Sequence, residues 1–301
     1  MREIKLKARA KINLGLDVVR KREDGYHEVR MIMQMINLYD KITLRQKTEP
    51  GITVSTNLSY LPVNEDNLVY RAAKLLMDEF QVSGGLEIVL QKYIPVAAGM
   101  AGGSSDAAAV MVGVNRMFHL GLSKKQLMER GVKIGADVPF CIMRGTALAE
   151  GIGEKLTTLP AMPHCSLVIA KPKVHVSTKF VYGNLKADEI TEHPDIDGQV
   201  QALRDNDLEQ IVAKMGNVLE TVTIPAYPVI DKIKQTMIRH GAMGAMMSGS
   251  GPTVFGVFER EEQAKEVCRL LKKEGSAKQI YLVRQEITDR DIGRIRRKKD
   301  G

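Results

Sequence analysis

Pro95-Val96-Ala97-Ala98-Gly99-Met100-Ala101-Gly102-Gly103-Ser104-Ser105 is the richest stretch of this chain and the one from which its architecture is read. Glycine and alanine dominate it, so no large Cβ substituent keeps a ligand away from the backbone N–H groups. Just upstream, residues 86–90 read as a strand; downstream, from about Asp106 to His119, alanine, valine and methionine predict a helix. A loop of small residues running into a helix puts unpartnered N–H groups and the positive end of the helix dipole at one point. Such a point attracts anions, and a polyphosphate is the usual occupant. Ser104 and Ser105 offer hydroxyls to phosphate or to Mg2+. In the plainer alternative the loop only packs closely and Ser104 caps the helix. No lysine follows Gly102-Gly103 and no G-x-G-x-x-G is present, so neither a P-loop NTPase nor a dinucleotide binder is supported.

Outward from the loop, strands and helices alternate without a regular βαβ rhythm, which predicts an α+β fold. Ile4, Leu6, Ala8, Ala10, Ile12 and Leu14 share one face of an N-terminal strand, with Lys5, Lys7, Arg9, Lys11 and Asn13 on the other. Asp24-Gly25 marks a turn, Val29, Met31, Met33 and Met35 resume the alternation, and residues 42–44 and 52–55 read as further short strands. Residues 67–80 read as a helix. Another opens at Ser123, where Gln126 completes a capping box. Past a proline-marked joint at residues 159–163 come a strand at 167–170, three helical segments up to Gly241, and a strand–loop–strand unit around Ser248-Gly249-Ser250-Gly251. A helix at 261–273 and a strand at 280–283 close the pattern. The expected organisation is a domain over 1–160, a second over 161–287, and a basic tail over 288–301.

The composition, 44% apolar and 27% charged, is that of a globular chain. Three scattered cysteines exclude a disulfide framework or a zinc site and point to a reducing compartment. No apolar run is long enough for a membrane span and residues 1–11 contain no signal-peptide core, so a cytoplasmic location is expected. Of the net charge of +8, the tail carries six basic and three acidic residues and reads as a solvated, disordered end.

Other residues invite chemistry. Lys11 lies on the polar side of its strand, where a solvated lysine is the plain reading. Asp137, between Ala136 and Val138-Pro139, is an odd place for an unpaired carboxylate. It either caps the next helix or is held in a partly dry loop, able to take a proton from an alcohol. A lysine beside it would keep it ionised and offset charge on a transferring phosphoryl group. Tyr26 and His27 follow a glycine turn, and such a pair can stack on a base and hydrogen-bond to it.

Taken in order, Ala10-Lys11-Ile12-Asn13-Leu14, residues 95–105 and residues 248–255 resemble the three motifs of the GHMP kinases, the family of galactokinase, homoserine kinase and mevalonate kinase. Asp24-Gly25-Tyr26-His27-Glu28, Gly135-Ala136-Asp137-Val138-Pro139-Phe140 and Ala149-Glu150-Gly151-Ile152-Gly153-Glu154 further resemble the branch that acts on a cytidine diphosphate-linked polyol. The likeness spans nearly the whole chain and is weakest over residues 186–206 and in the tail. It implies the two-domain GHMP kinase fold: an N-terminal ATP domain like the second domain of ribosomal protein S5, and a C-terminal α+β substrate domain. It also implies ATP-dependent phosphorylation of the polyol's 2-hydroxyl, a step of non-mevalonate isoprenoid precursor synthesis.

On the matching positions, the resemblance makes Lys11 and Asp137 the catalytic pair and residues 95–105 the ATP loop. Tyr26, His27 and Tyr182 would sandwich and read the cytosine, with Asn13 and Thr178 as further substrate contacts and Ser105 as the candidate Mg2+ ligand. Many members have glycine where this chain has Ala97, Ala98 and Ala101, so these positions are expected to avoid the left-handed region. Two other readings stay open: a GHMP kinase for an alcohol of the homoserine or mevalonate type, and a non-catalytic RNA-associated module suggested by the basic tail. Neither a membrane nor a nucleic acid is the expected partner, and the oligomeric state, monomer or weak homodimer, is left open.

Overall fold

The computed structural model describes residues 2–286; the tail expectation lies outside the described residues. Packing divides the chain into two compact units. The first takes the start of the chain to Ala10, Leu38–Val96 and Ala101–Arg144; the second takes Lys11–Asn37, Ala97–Met100 and the chain from Gly145. Two long neighbouring strands, β1 (Glu3–Lys21) and β2 (His27–Lys47), give one part to each unit. The predicted alternation holds along β1 as far as Ala10. From Lys11 to Val18 both faces are buried, so Lys11, Asn13 and Asp17 are buried with their apolar neighbours. The strand expected at residues 42–44 is the far part of β2 rather than a separate element.

In the first unit β3 (Gly51–Thr56) runs parallel to β4 (Gly85–Gln91), and β4 pairs antiparallel with Lys41 to Lys47 of β2. Helix α1 (Leu68–Glu79) opens where the Asn67 side chain accepts the Val69 N–H at 3.1 Å. It packs on α2 (Gly102–Met117), which in turn packs on α4 (Val138–Met143). Helix α3 (Lys124–Gly131) carries the predicted Ser123–Gln126 capping box. Gly113 explains how closely α2 approaches the strands, because a Cβ there would overlap the side chains of Leu44 and Leu6. Ile42, Leu44, Leu76, Leu86, Ile88 and Phe140 form the apolar interior, each stabilising by about 1.5–3 kcal/mol on burial.

In the second unit β5 (Thr146–Glu150) pairs antiparallel with Met31 to Gln34 of β2, and β6 (Lys155–Leu159) pairs with β5. An antiparallel sheet of order β11-β7-β10-β9 follows, built from β7 (Ser166–Lys171), β9 (Gly244–Met247), β10 (Val254–Phe258) and β11 (Gln279–Val283). Between β7 and β9 lie α5 (Thr178–Asn184), α6 (Ile196–Asp205), α7 (Leu208–Ala213), the two-residue β8 (Gly216–Asn217), α8 (Glu220–Ala226) and α9 (Val229–Arg239). Five α-helices therefore stand where three helical segments were expected. The extra ones are short, and their buried faces rather than periodicity hold them. Helices α9 and α10 (Glu261–Glu274) pack on the sheet and on each other, burying Ile233, Met237, Val267 and Leu271, with Met237 against Gly256 and Phe258 of β10. The strands and helices bear out the α+β expectation.

Candidate active site

The loop after β4 is strained. Ala97, Gly99 and Ala101 have φ of +49°, +73° and +53°. The expectation that the alanines avoid the left-handed region is therefore overturned at Ala97 and Ala101. A residue with a Cβ pays about 1–2 kcal/mol there, and only the surrounding contacts hold it in place. Helix α2 begins at Gly102, four residues before the expected Asp106, with Ala101 at the N-cap position and no side-chain cap. Ser104 thus does not cap α2, and the first-turn N–H groups receive no side-chain acceptor. Ser105 is buried, and its hydroxyl donates to the Arg9 carbonyl oxygen at 2.6 Å. A Cβ on Gly135 would lie 3.8 Å from Ser104 Oγ, which sets the loop leading to Asp137 beside the start of α2. Asp137 occupies the N-cap position of α4 but makes no side-chain cap bond, and it is half-buried.

In the second unit, several of the expected residues meet. The Lys11 ammonium donates to Asn13 Oδ1 at 2.8 Å, and the Lys11 backbone N–H donates to the Met100 carbonyl oxygen at 3.2 Å. The Ser248 hydroxyl donates to the Gly99 carbonyl oxygen at 2.9 Å. Gly99 allows this approach, because a Cβ there would run into the Ser248 carbonyl oxygen. Buried Asn217, which the sequence did not single out, donates to the Met247 and Gly249 carbonyl oxygens at 2.9 Å each and so shapes the second glycine loop. The hydroxyls of Ser250, in that loop, and Thr178, at the start of α5, are hydrogen-bonded at 2.8 Å.

Thr178 also lines a cavity of about 510 Å³ together with Lys21, Tyr26, His27, Lys179 and Tyr182. Apolar contact comes from Val29 and Ile152. The His27 and Tyr182 rings stand 5.1 Å apart at 42°, while Tyr26 is 60% exposed, so one aromatic face is fixed and another is open to a ligand. His27 Nε2 is buried and has no hydrogen-bond partner. Burial pushes the His27 pKa down, and the charge of Lys21 adds to this. A neutral imidazole with an unsatisfied ring nitrogen suits a hydrogen bond to a flat polar ring.

The first unit also holds a charge cluster that sequence reading missed. Lys92, one residue beyond β4, donates to Asp40 of β2 and, at 2.7 Å, to Asp106 of α2; all three are buried. Asp40 accepts in addition from the Ile94 N–H at 2.8 Å. Burial pushes the Asp106 carboxyl well above its usual range. Burial also works against the Lys92 charge, but Asp106 and Asp40 outweigh it and raise the lysine's pKa. The residues flanking the loop at both ends are thereby tied to one lysine. Among the described residues, no group of three or more His, Cys, Asp or Glu is placed to hold a metal, and no helix is long and apolar enough to cross a membrane.

Residues 67–145 match the GHMP kinases N terminal domain and residues 199–277 the GHMP kinases C terminal domain. A 4-diphosphocytidyl-2-C-methyl-D-erythritol kinase of Lachnospira eligens is 57% identical over 281 residues, covering 93% of this chain and 98% of the relative. One from Alkaliphilus oremlandii is 49% identical over 294 residues, covering 97% and 100%. A crystal structure of 4-(cytidine 5'-diphospho)-2C-methyl-D-erythritol kinase superposes with a TM-score of 0.81 at 29% identity, covering 95% of this chain and 100% of that one. Homoserine kinase from Cytophaga hutchinsonii, at 22% identity and a TM-score of 0.76 over 95% of each chain, shares the fold. The chain therefore belongs to the GHMP kinase family, in the branch formed by its 4-diphosphocytidyl-2-C-methyl-D-erythritol kinase relatives.

Proposed function

We propose that this chain transfers the γ-phosphoryl group of ATP to the 2-hydroxyl of 4-diphosphocytidyl-2-C-methyl-D-erythritol, as a cytoplasmic enzyme of the non-mevalonate route to isoprenoid precursors. The observation that carries the reading is a run of contacts within the second unit. The aromatic cavity reaches the second glycine loop through Thr178 and Ser250, and that loop reaches the first through Ser248 and Gly99. A nucleobase cavity tied to a polyphosphate loop suits a substrate that carries its own nucleotide. Homoserine and mevalonate have no aromatic ring to fill such a cavity.

In this reading the backbone amides of residues 95–105 hold the triphosphate, and the uncapped first turn of α2 adds its N–H groups. Asp137 accepts the proton of the attacking 2-hydroxyl. Lys11, oriented by Asn13, offsets charge on the transferring phosphoryl group. Tyr26 and Tyr182 stack on the cytosine, His27 hydrogen-bonds to its edge, and Thr178 and Asn13 complete the substrate contacts. Mg2+ supplies charge neutralisation when bound. It would be held by the nucleotide's phosphates, and Ser105, whose hydroxyl donates to the Arg9 carbonyl oxygen, would be the candidate protein ligand.

Because the transition state of phosphoryl transfer is loose, positioning and charge matter more than base strength. Incubation with ATP, Mg2+ and 4-diphosphocytidyl-2-C-methyl-D-erythritol is expected to give a new phosphomonoester signal by phosphorus NMR. Asp137→Ala is expected to lower kcat by about 100-fold or more while ATP still binds. Preference for an alcohol without cytosine would defeat the substrate assignment, and near wild-type turnover of Asp137→Ala would remove that carboxylate from the mechanism.

A further inference from the structure

The aromatic cavity of the second unit is lined by two lysines that have no salt-bridge partner among the described residues. Lys21 is the last residue of β1 and Lys179 the second residue of α5, 158 positions further on. Both line the cavity with Tyr26, His27 and Tyr182, and among the described residues no carboxylate lines it. The neighbouring arginines are all paired: Arg20 with Glu28 at 2.6 Å, Arg22 with Asp24 at 2.7 Å, and Arg30 with Asp197 at 2.7 Å. Among the described residues, Lys21 and Lys179 form no salt bridge. Lys21 is near enough for its charge to act on His27. Two like charges lining one cavity repel each other, and the arrangement is relieved when an anion sits between them.

We propose that Lys21 and Lys179 grip the diphosphate of a cytidine-linked substrate, making them specificity-determining residues that select a nucleoside diphosphate ester over the bare nucleoside. The inference rests on the cytidine reading of this cavity and adds the group that its aromatic wall does not recognise. A diphosphate diester carries two negative charges within one nucleotide of its base, so a ligand stacked on Tyr26 and Tyr182 brings those charges into the cavity that Lys21 and Lys179 line. Lysine suits such a contact, since its compact charge, on a flexible stem, follows a tetrahedral phosphate without demanding bidentate geometry. Thr178, also in the lining, is hydrogen-bonded to Ser250 and supplies no charge.

The test is calorimetric titration of the full chain with cytidine and with CDP, a non-hydrolysable ATP analogue being present throughout, for wild type, Lys21→Ala, Lys179→Ala and the double variant. Wild type is expected to prefer CDP. Each alanine should cost about 3–10-fold in CDP affinity with cytidine affinity unchanged. The preference should also weaken as salt is raised. In turnover, KM for the CDP-linked substrate should rise in parallel while KM for ATP stays constant, and Lys21→Arg should keep most of the wild-type affinity. Unchanged cytidine binding shows that the variants keep a folded cavity. A CDP preference that survives in the double variant, or equal losses for both ligands, would overturn the inference and leave the cytidine reading standing. Failure of wild type to bind either ligand would overturn both.

Discussion

Ala97 and Ala101 hold φ of +49° and +53°, where a methyl side chain is crowded by its own backbone. Ala101→Gly relieves that crowding and gives back part of the gain through the freer unfolded chain. The net is a stabilisation of about 0.5–1 kcal/mol, read from the denaturant midpoint. Gly99→Ala acts in the opposite direction, because its methyl meets the Ser248 carbonyl oxygen at a φ of +73°. It is expected to lower the midpoint and raise KM for ATP. His27 supplies a pH test. Its folded pKa lies below the ordinary value of about 6.5, so between those two values the unfolded chain binds more protons than the folded one. Its contribution is intact above about pH 6.5 and is lost as the pH falls from there toward the folded pKa. The stability difference between wild type and His27→Gln should therefore be flat at pH 7–8 and change below about 6.5; a difference constant down to pH 5 would contradict it.

At the level of elements, β4, α2 and β2 are joined at the loop's edges by Lys92 with Asp106 and Asp40. Lys92→Ala leaves two buried carboxylates without their cation, and about 3–5 kcal/mol of stability should be lost. Lys92→Ala combined with Asp106→Asn should recover part of it; full additivity in a denaturation cycle would mean that the pair is not coupled. Lysine and aspartate at positions 40, 92 and 106 look like ordinary surface charges in the sequence, so nothing there signalled the cluster. Other elements were legible in part. Apolar spacing announced α1 and the Ser123–Gln126 capping box announced α3, and Ser177, Asp195 and Asp207 cap α5, α6 and α7 in a way the sequence also contains but periodicity in such short helices does not reveal. Strands β5 and β6 went unread because alanine and polar residues dominate them. Their pairing with each other and with β2 holds them.

For the molecule as a whole, substrate binding and stability are linked. A ligand that binds only the native chain raises unfolding free energy by about 2.7 kcal/mol at a hundredfold excess over its Kd. The CDP-linked substrate should give that gain in wild type and a smaller one at the same concentration in Lys21→Ala/Lys179→Ala, as read by denaturant unfolding; equal gains would count against the two lysines. The α+β class, most long elements, both glycine-rich loops and the motifs of family membership could be read without coordinates, because each depends on local periodicity, turn chemistry or a contiguous stretch. Contacts between distant residues settled the rest. Lys11 looks solvated by its place in an alternating strand, yet it is buried beside Asn13 because both faces of β1 are covered there. Ala97 and Ala101 adopt a conformation their own side chains disfavour because the folded surroundings hold them in it. Lys21 and Lys179 share a cavity only once the fold has brought the end of β1 to the start of α5. Local preference is written along the chain, whereas burial and juxtaposition exist only after distant segments have closed on one another.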